Sequence, residues 1–238
     1  MLVAVRNGER WIEASLRSLL AQTHKNLQIV VVDNGSADRS AEIAAIGDSR
    51  IEVHAQPSGG LVSALNEAYR HVAPEAEAIA RQDADDLSEP ARIAEQLRLL
   101  ASESQLGLVG TGHREIDYDG SPLRDVRAST DPAGIRTRLR RANPFAGASI
   151  LMRRSVFDAV KGYDPALDGR VGEDYDFLIR VAERFTISAV SDPLYIYRTN
   201  NPDSMCGLIG YDYREPKAFV AERARRRGSS IFAEDVAS

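Results

Sequence analysis

Through the first half of the chain, short aliphatic and β-branched runs alternate with stretches of helical period. The runs fall at residues 2–5, 27–32, 51–54 and 78–82. Between them apolar residues recur every three or four positions, which predicts amphipathic helices over residues 11–20, 41–46 and 61–72. Ile12, Leu16, Leu19 and Leu20 form the inner stripe of the first; Leu61, Ala64, Leu65, Ala68 and Val72 form that of the third. A further helix is expected after the fourth run, with Ser88 as its N-cap, Pro90 in its first turn and Ile93, Leu97, Leu100 and Ala101 turned inward. Four strand–helix units in succession predict an α/β fold, a mainly parallel sheet with helices on both faces. The unbroken Ile29-Val30-Val31-Val32 suits a strand buried on both sides.

After a fifth run at residues 106–110 the alternation breaks down, punctuated by Pro122, Pro132, Gly134 and Pro144. An apolar segment at 148–152, a helix start near Ser155 and a turn at Gly162-Tyr163-Asp164-Pro165 follow. Gly172-Glu173-Asp174-Tyr175-Asp176 opens a helix with Phe177, Leu178, Val181 and Ala182 on its inner side, and final strands are expected over 186–190 and 194–197. Without an internal repeat or a low-complexity segment, the second half reads as an elaboration of the same domain.

The 238 residues, 43% hydrophobic and 27% charged, are enough to build one large α/β domain with a substantial core. A net charge of −5 gives no global attraction to nucleic acid, so no nucleic-acid partner is expected. The single cysteine, Cys206, excludes an internal disulfide and fits a reducing compartment. No apolar run approaches the ~20 residues needed to span a bilayer, and no signal-peptide pattern is present, so a cytoplasmic location is expected. Between Arg214 and Arg227 basic residues outnumber acidic ones. That run reads first as the solvated face of a terminal helix, with peripheral contact to an anionic membrane surface as the alternative.

Candidate chemistry centres on Arg81-Gln82-Asp83-Ala84-Asp85-Asp86, three carboxylates within four residues at the end of the fourth run. A packed core does not favour such crowding, but a hard divalent cation with substrate phosphates relieves it. The competing reading is a solvated acidic loop that caps the next helix. In an open α/β sheet ligands bind beyond the carboxyl ends of the strands; Asn7, Asp33, Pro57 and Asp83 all fall at such ends and should converge on one crevice. No Gly-x-Gly-x-x-Gly follows the first run and no Walker-type lysine appears, so phosphates there would need a metal. Asp33 is placed to read a ribose or base, or else merely to form an Asx-turn. Asp174, in the first turn of its helix, is favoured in ionised form by the helix dipole and suits a general base, although from these residues alone helix capping by Glu173, Asp174 and Asp176 together is the favoured reading. His24, His54, His71 and His113 share no metal-ligand spacing.

With these residues in view, the chain resembles the family 2 glycosyltransferases of the GT-A fold over nearly its whole length. The resemblance rests on Asn7-Gly8-Glu9, Leu20-Ala21-Gln22-Thr23, residues 31–38, Asp83-Ala84-Asp85-Asp86, Met152-Arg153-Arg154-Ser155, Gly162-Tyr163-Asp164, Gly172-Glu173-Asp174-Tyr175 and Tyr197-Arg198, in the family's order and spacing. It implies a single domain with a nucleotide-sugar half (residues 1–110), an acceptor half (111–213) and a basic C-terminal tail (214–238). It further implies inverting transfer of a sugar from a nucleoside diphosphate, foremost a UDP-sugar, to a glycan or lipid-linked acceptor, in cell-surface polysaccharide or glycoconjugate synthesis. By similarity, Ala4, Arg6 and Glu9 would line the nucleotide end, Asp33 would contact the base and Asp83 the ribose side. Asp85 would bind Mg²⁺ or Mn²⁺, and Asp174 would be the catalytic base.

Two departures from the family pattern stand out. The first strand begins without the usual lead-in, as from a late start site, and Asn200 stands where many members carry a histidine near the metal. Competing readings are a haloacid dehalogenase-type phosphatase, a sugar nucleotidyltransferase and a non-catalytic nucleotide-sugar or carbohydrate-binding protein. The first would place its aspartate pair on the first strand, and the second would need a glycine-rich loop there. Intact Asp83, Asp85 and Asp174 argue against the third.

Overall fold

The computed structural model describes residues 1–202, 204, 207, 210 and 212–233. Cys206 lies outside the described residues, so the reading attached to it has no structural counterpart. Four parallel strands, β1 (Leu2–Val5), β2 (Ile29–Asn34), β3 (Ile51–Gln56) and β4 (Ala78–Asp83), alternate with α1 (Ile12–Leu20), α2 (Ser40–Ala44) and α3 (Leu61–Arg70), as the periodicity predicts. Alternate residues of β1 and β2 feed opposite faces. Leu2, Val30 and Val32 join the core beneath α3, whereas Val3, Val5, Ile29 and Val31 join the core beneath α1 and α2.

Beyond β4 the sheet becomes mixed. In chain order come β5 (Leu87–Ser88), α4 (Arg92–Ser102), β6 (Leu106–Ile116), β7 (Pro122–Val126), α5 (Pro132–Leu139), β8 (Leu151–Arg153), α6 (Arg154–Val160), α7 (Glu173–Ala182), β9 (Thr186–Arg198) and α8 (Arg214–Arg226). The spatial order is β3-β2-β1-β4-β8-β6-β9-β5, with β7 on β6. β8 runs antiparallel to β4 and β6, while β6 and β9 are parallel. Registers of Val5 with Asp33 and of Ala4 with Asp83 bring the carboxyl ends of β1, β2 and β4 to one edge.

Several local expectations need correction. The second strand starts at Ile29 and runs on through Asp33 and Asn34, because Asn34 is not a turn residue. Its amide clamps the loop before α3, donating to the Gly59 carbonyl and accepting from the Gly59 amide. Gly35, at φ +71°, makes the turn instead. Ser88 is not an N-cap: it sits in β5 paired with β9, its hydroxyl is drawn to Gln82, and α4 begins at Arg92. The two expected final strands are one, β9, which accommodates Pro193 at a register shift against Gly112. The proline-rich stretch before residue 148 holds β7 and α5, the latter capped by Asp131, whose carboxylate accepts from the Ala133 and Gly134 amides.

The basic C-terminal run forms α8, and two of its arginines are turned inward. Val220, Ala221 and Ala224 are buried in the core. Arg223 pairs with Asp164, and Arg227 donates to Asp176 at 3.0 Å. Asp176 is fully buried and also accepts from Arg180 Nε at 2.7 Å, while Arg180 Nη1 reaches the carbonyls of Val160 and Gly162. One carboxylate thus joins α7, α8 and the turn after α6. Asp176→Ala should cost roughly 3–5 kcal/mol, because two arginines lose their shared counter-charge. Urea denaturation would measure this, and a loss below about 1 kcal/mol would show that α8 docks without the pair.

Candidate active site

A cavity of about 1090 Å³ opens where β1, β2 and β4 end. The segment from Ala4 to Trp11 forms one wall and Arg81, Asp83 and Asp85 reach it from β4 and the loop beyond. The first turn of α7 lines it as well, and α8 contributes Tyr213, Pro216 and Lys217. Of the four strand-end residues expected to converge, Asn7 and Asp83 line the cavity, whereas Asp33 and Pro57 do not. Ala4, Arg6, Glu9, Asp83, Asp85 and Asp174 all line the cavity.

Asp33 differs from expectation, for it is not a lining residue. It is 7% exposed, its Oδ2 accepts weakly from the Ser36 amide, and its Oδ1 is buried with no hydrogen-bond partner. The cavity wall beside it is Asn34. The Glu9 carboxylate accepts from the Arg39 amide just before α2, and the Glu9 amide donates to Asp38, so this end of the cavity is braced by charge-assisted bonds.

The three carboxylates after β4 have separate fates. Asp83 pairs with the buried guanidinium of Arg81, which approaches it through Nε at 3.1 Å and Nη2 at 3.0 Å. Asp85 accepts from Asn201 Nδ2 at 2.8 Å, and burial together with the charge of Asp83 pushes its carboxyl above the usual range. Asp86 is structural. Its buried carboxylate accepts from the Tyr195 hydroxyl and the Arg198 amide of β9, and burial, then Asp85 and Asp83, raise its pKa well above normal.

Opposite them, Gly172 takes φ +108° and lets the chain turn sharply into α7. Asp174 Oδ2 accepts from Asn143 Nδ2 at 2.8 Å, and Oδ1 accepts from the Tyr175 amide, one of the free donors of the first turn. Asp174 thus serves the helix end and faces the cavity at once. The backbone of Gly147 lies so close that a Cβ there would stand 2.1 Å from Asp174 Oδ2. Burial raises the Asp174 pKa, while Arg81 and these hydrogen bonds oppose the rise. Glu173, 6% exposed, accepts from Arg81 Nη1 at 3.2 Å; burial and then the Asp174 charge raise it to about 7.

Sequence reasoning missed Arg81, Asn143 and Asn201 and left Glu173 as a helix cap. Arg81 was visible as the one basic residue in the acidic stretch, whereas Asn201 follows the Asn200 position singled out and only the fold brings it to Asp85. Trp11 and Tyr118 also line the cavity, edge to face at 5.2 Å, with the Arg10 guanidinium over both rings and that of Arg198 over Trp11. The pair links α1 to the turn after β6.

Among the described residues no three His, Cys, Asp or Glu side chains converge as a metal cage. Asp83 and Asp85 nevertheless place hard oxygen donors in mutual repulsion beside the cavity, which fits a Mg²⁺-type cation taking its remaining ligands from phosphate and water. No described helix is long and apolar enough to cross a membrane.

The sequence profile described as Glycosyl transferase family 2 matches residues 1–161. EpsE of Bacillus subtilis is 31% identical over 188 residues, covering 77% of this chain and 66% of EpsE. The O-antigen biosynthesis glycosyltransferase WbnJ of Escherichia coli is 26% identical over 219 residues, 89% of this chain and 83% of WbnJ. Residues 1–349 of S. aureus TarS, solved in complex with UDP-GlcNAc, share the fold with a TM-score of 0.68 at 18% identity, covering 85% of this chain and 59% of that one. The chain therefore spans about two thirds of the length of EpsE.

The position of Glu173 has a consequence for stability. Its pKa is raised from 4.5 to about 7 in the folded chain, so above pH 4.5 the native state holds a proton that the unfolded state has released. Its contribution is fully present below 4.5 and is lost as pH rises through about 7. Urea midpoints should fall across that window in the parent, and Glu173→Gln should flatten the fall; equal slopes would place the Glu173 pKa in the ordinary range.

Proposed function

The chain belongs to glycosyl transferase family 2, and on that premise we propose that it transfers a sugar from a nucleoside diphosphate to an acceptor hydroxyl with inversion. One observation carries the reading: Asp83 and Asp85 on one side and Asp174 on another line a single cavity at the carboxyl ends of the strands. The acceptor oxygen attacks the anomeric carbon from the Asp174 side. Its proton passes to the Asp174 carboxylate as the carbon–oxygen bond to the diphosphate breaks and that bond's electrons leave with the phosphate. Residues 1–110 hold the donor, 111–213 supply the acceptor side, and α8 closes its rim with Tyr213 and Lys217.

Within the donor half, Ala4, Arg6 and Glu9 bound the nucleotide end, and the unpartnered Oδ1 of Asp33 is an acceptor suited to a base N–H. Asp83 serves the ribose side. Asp85 would hold Mg²⁺ or Mn²⁺ together with the phosphates, and the cation when bound neutralises charge on the leaving diphosphate. Asn143 fixes the Asp174 carboxylate in place, and the amino end of α7 favours its ionised form. UDP is the preferred nucleotide on the TarS likeness, and the relation to WbnJ supports a role in surface polysaccharide synthesis. A peripheral position at the inner membrane face would bring a lipid-linked acceptor within reach.

Two variants test the assignment. Asp85→Ala should abolish the dependence of UDP binding on Mn²⁺ while leaving the thermal melt intact. Calorimetry with and without the ion would show it, and unchanged metal dependence would remove Asp85 from the metal site. Asp174→Asn keeps the size and one of the two acceptor oxygens, the other becoming a donor, and cannot take a proton. Turnover, read as UDP release with the best donor from a panel of UDP-sugars and glycan acceptors, should fall by ~10²–10⁴-fold at unaltered donor affinity. Near-parental turnover would return Asp174 to a helix-end role and overturn the proposed chemistry.

A further inference from the structure

Arg81 is a buried cation between two acids of different elements. Its side chain is 4% exposed on β4 and reaches Asp83 at 3.0 Å on the donor side and Glu173 at 3.2 Å on α7, beside Asp174. The guanidinium also lies 5.6 Å from the ring centre of buried Tyr163. Burying a guanidinium costs several kcal/mol unless it is paired, and Asp83 alone would neutralise it. The second ligand is supplied across the cavity by the residue next to the proposed base.

We propose that Arg81 is a positioning residue for the transfer: its fork holds the Glu173–Asp174 corner of α7 in fixed relation to Asp83 and keeps the carboxylate of Asp174 ionised. The inference rests on the reading of Asp174 as the base. The charged and titratable groups around Asp174 are Arg81 and Asp83 of β4, Asp85 after it, Glu173 on its own turn, Tyr163 below and Lys217 at the rim. Arg81 is the buried cation in that set, against three carboxylates. Its fork geometry matters because the guanidinium meets Asp83 through two nitrogens and Glu173 through the third, an arrangement that a single ammonium does not reproduce.

The sign of the effect separates this role from a structural one. A positive neighbour stabilises the ionised acid, so removing it moves the Asp174 titration to higher pH. Carboxyl-carbon NMR titrations of the ligand-free protein, with Asp174→Asn identifying the resonance, would follow Asp174 directly. In Arg81→Gln the midpoint should rise by about one pH unit or more; in Arg81→Lys, which keeps the charge and loses the fork, it should stay near the parental position while turnover falls. Arg81→Lys leaves Asp83 and Glu173 facing a cation, so it tests the proposal even where Arg81→Gln fails to fold. UDP release from UDP-GlcNAc, used as the probe, should show its acidic limb displaced upward in Arg81→Gln; a purely structural defect would lower the rate by one factor at every pH. A midpoint that stays in place in Arg81→Gln, or one that rises as far in Arg81→Lys, overturns the proposal. Parental turnover in Asp174→Asn would instead overturn the proposed chemistry, whatever the titrations show.

Discussion

Repulsion among the carboxylates that leave β4 organises the second half of the molecule around the first. Each acid has to find its own partner, and each partner comes from a different place. Asp83 takes Arg81 from its own strand, Asp85 takes Asn201 from the segment after β9, and Asp86 takes the Tyr195 hydroxyl and the Arg198 amide of β9 itself. Tyr195 closes the circuit by accepting from the Asp83 amide. A buried charge left without such partners is among the costlier defects a fold can carry. β9 and Asn201 are therefore held against the end of β4, and the cavity acquires its second wall.

The same logic governs α8. A helix with so many arginines would stay solvated if its charge were free, yet Asp176 and Asp164 draw two of them inward while Val220 and Ala224 enter the core. Docking places Tyr213, Pro216 and Lys217 at the rim of the cavity, close to Gly172, whose Cβ would meet Val220 at 3.1 Å. The terminal helix is thus a wall of the site as well as a surface element.

What could be read from the sequence follows a physical division. Local period reveals the first four strands and their helices, because each buries a face set by its own pattern. Long-range pairing decides the rest: Ser88 resembles an N-cap until β9 pairs with it, and Pro193 divides a strand on paper that a register shift keeps whole. At the site, Asp83, Asp85 and Asp174 stand out as acids at element ends, where charge is expected to do chemistry. Asp33 shows the limit of that rule, since its strand runs on past the expected end and leaves its side chain beside the cavity without lining it. Arg81 stands in plain view beside those acids, but its role is hidden for the converse reason. In one dimension it reads as a surface residue, and only the approach of α7 reveals why a cation is buried in a central strand.

Four of the acids that line the cavity, Asp83, Asp85, Glu173 and Asp174, leave its two sides in different electrostatic conditions. Asp83 and Asp85 repel each other, a strain that a cation and a diphosphate would relieve together. Glu173 and Asp174 sit at the amino end of α7, where unsatisfied amides and the helix dipole already favour negative charge. Their ionisation therefore depends on fixed protein groups, chiefly Arg81 and Asn143, that are in place before any ligand arrives. As the proposed base, Asp174 would be ready before attack, while the side of Asp83 and Asp85 would gain its full stabilisation only with a nucleotide present. Preorganisation on one side and ligand-dependent neutralisation on the other would order the events, with donor engagement preceding proton transfer.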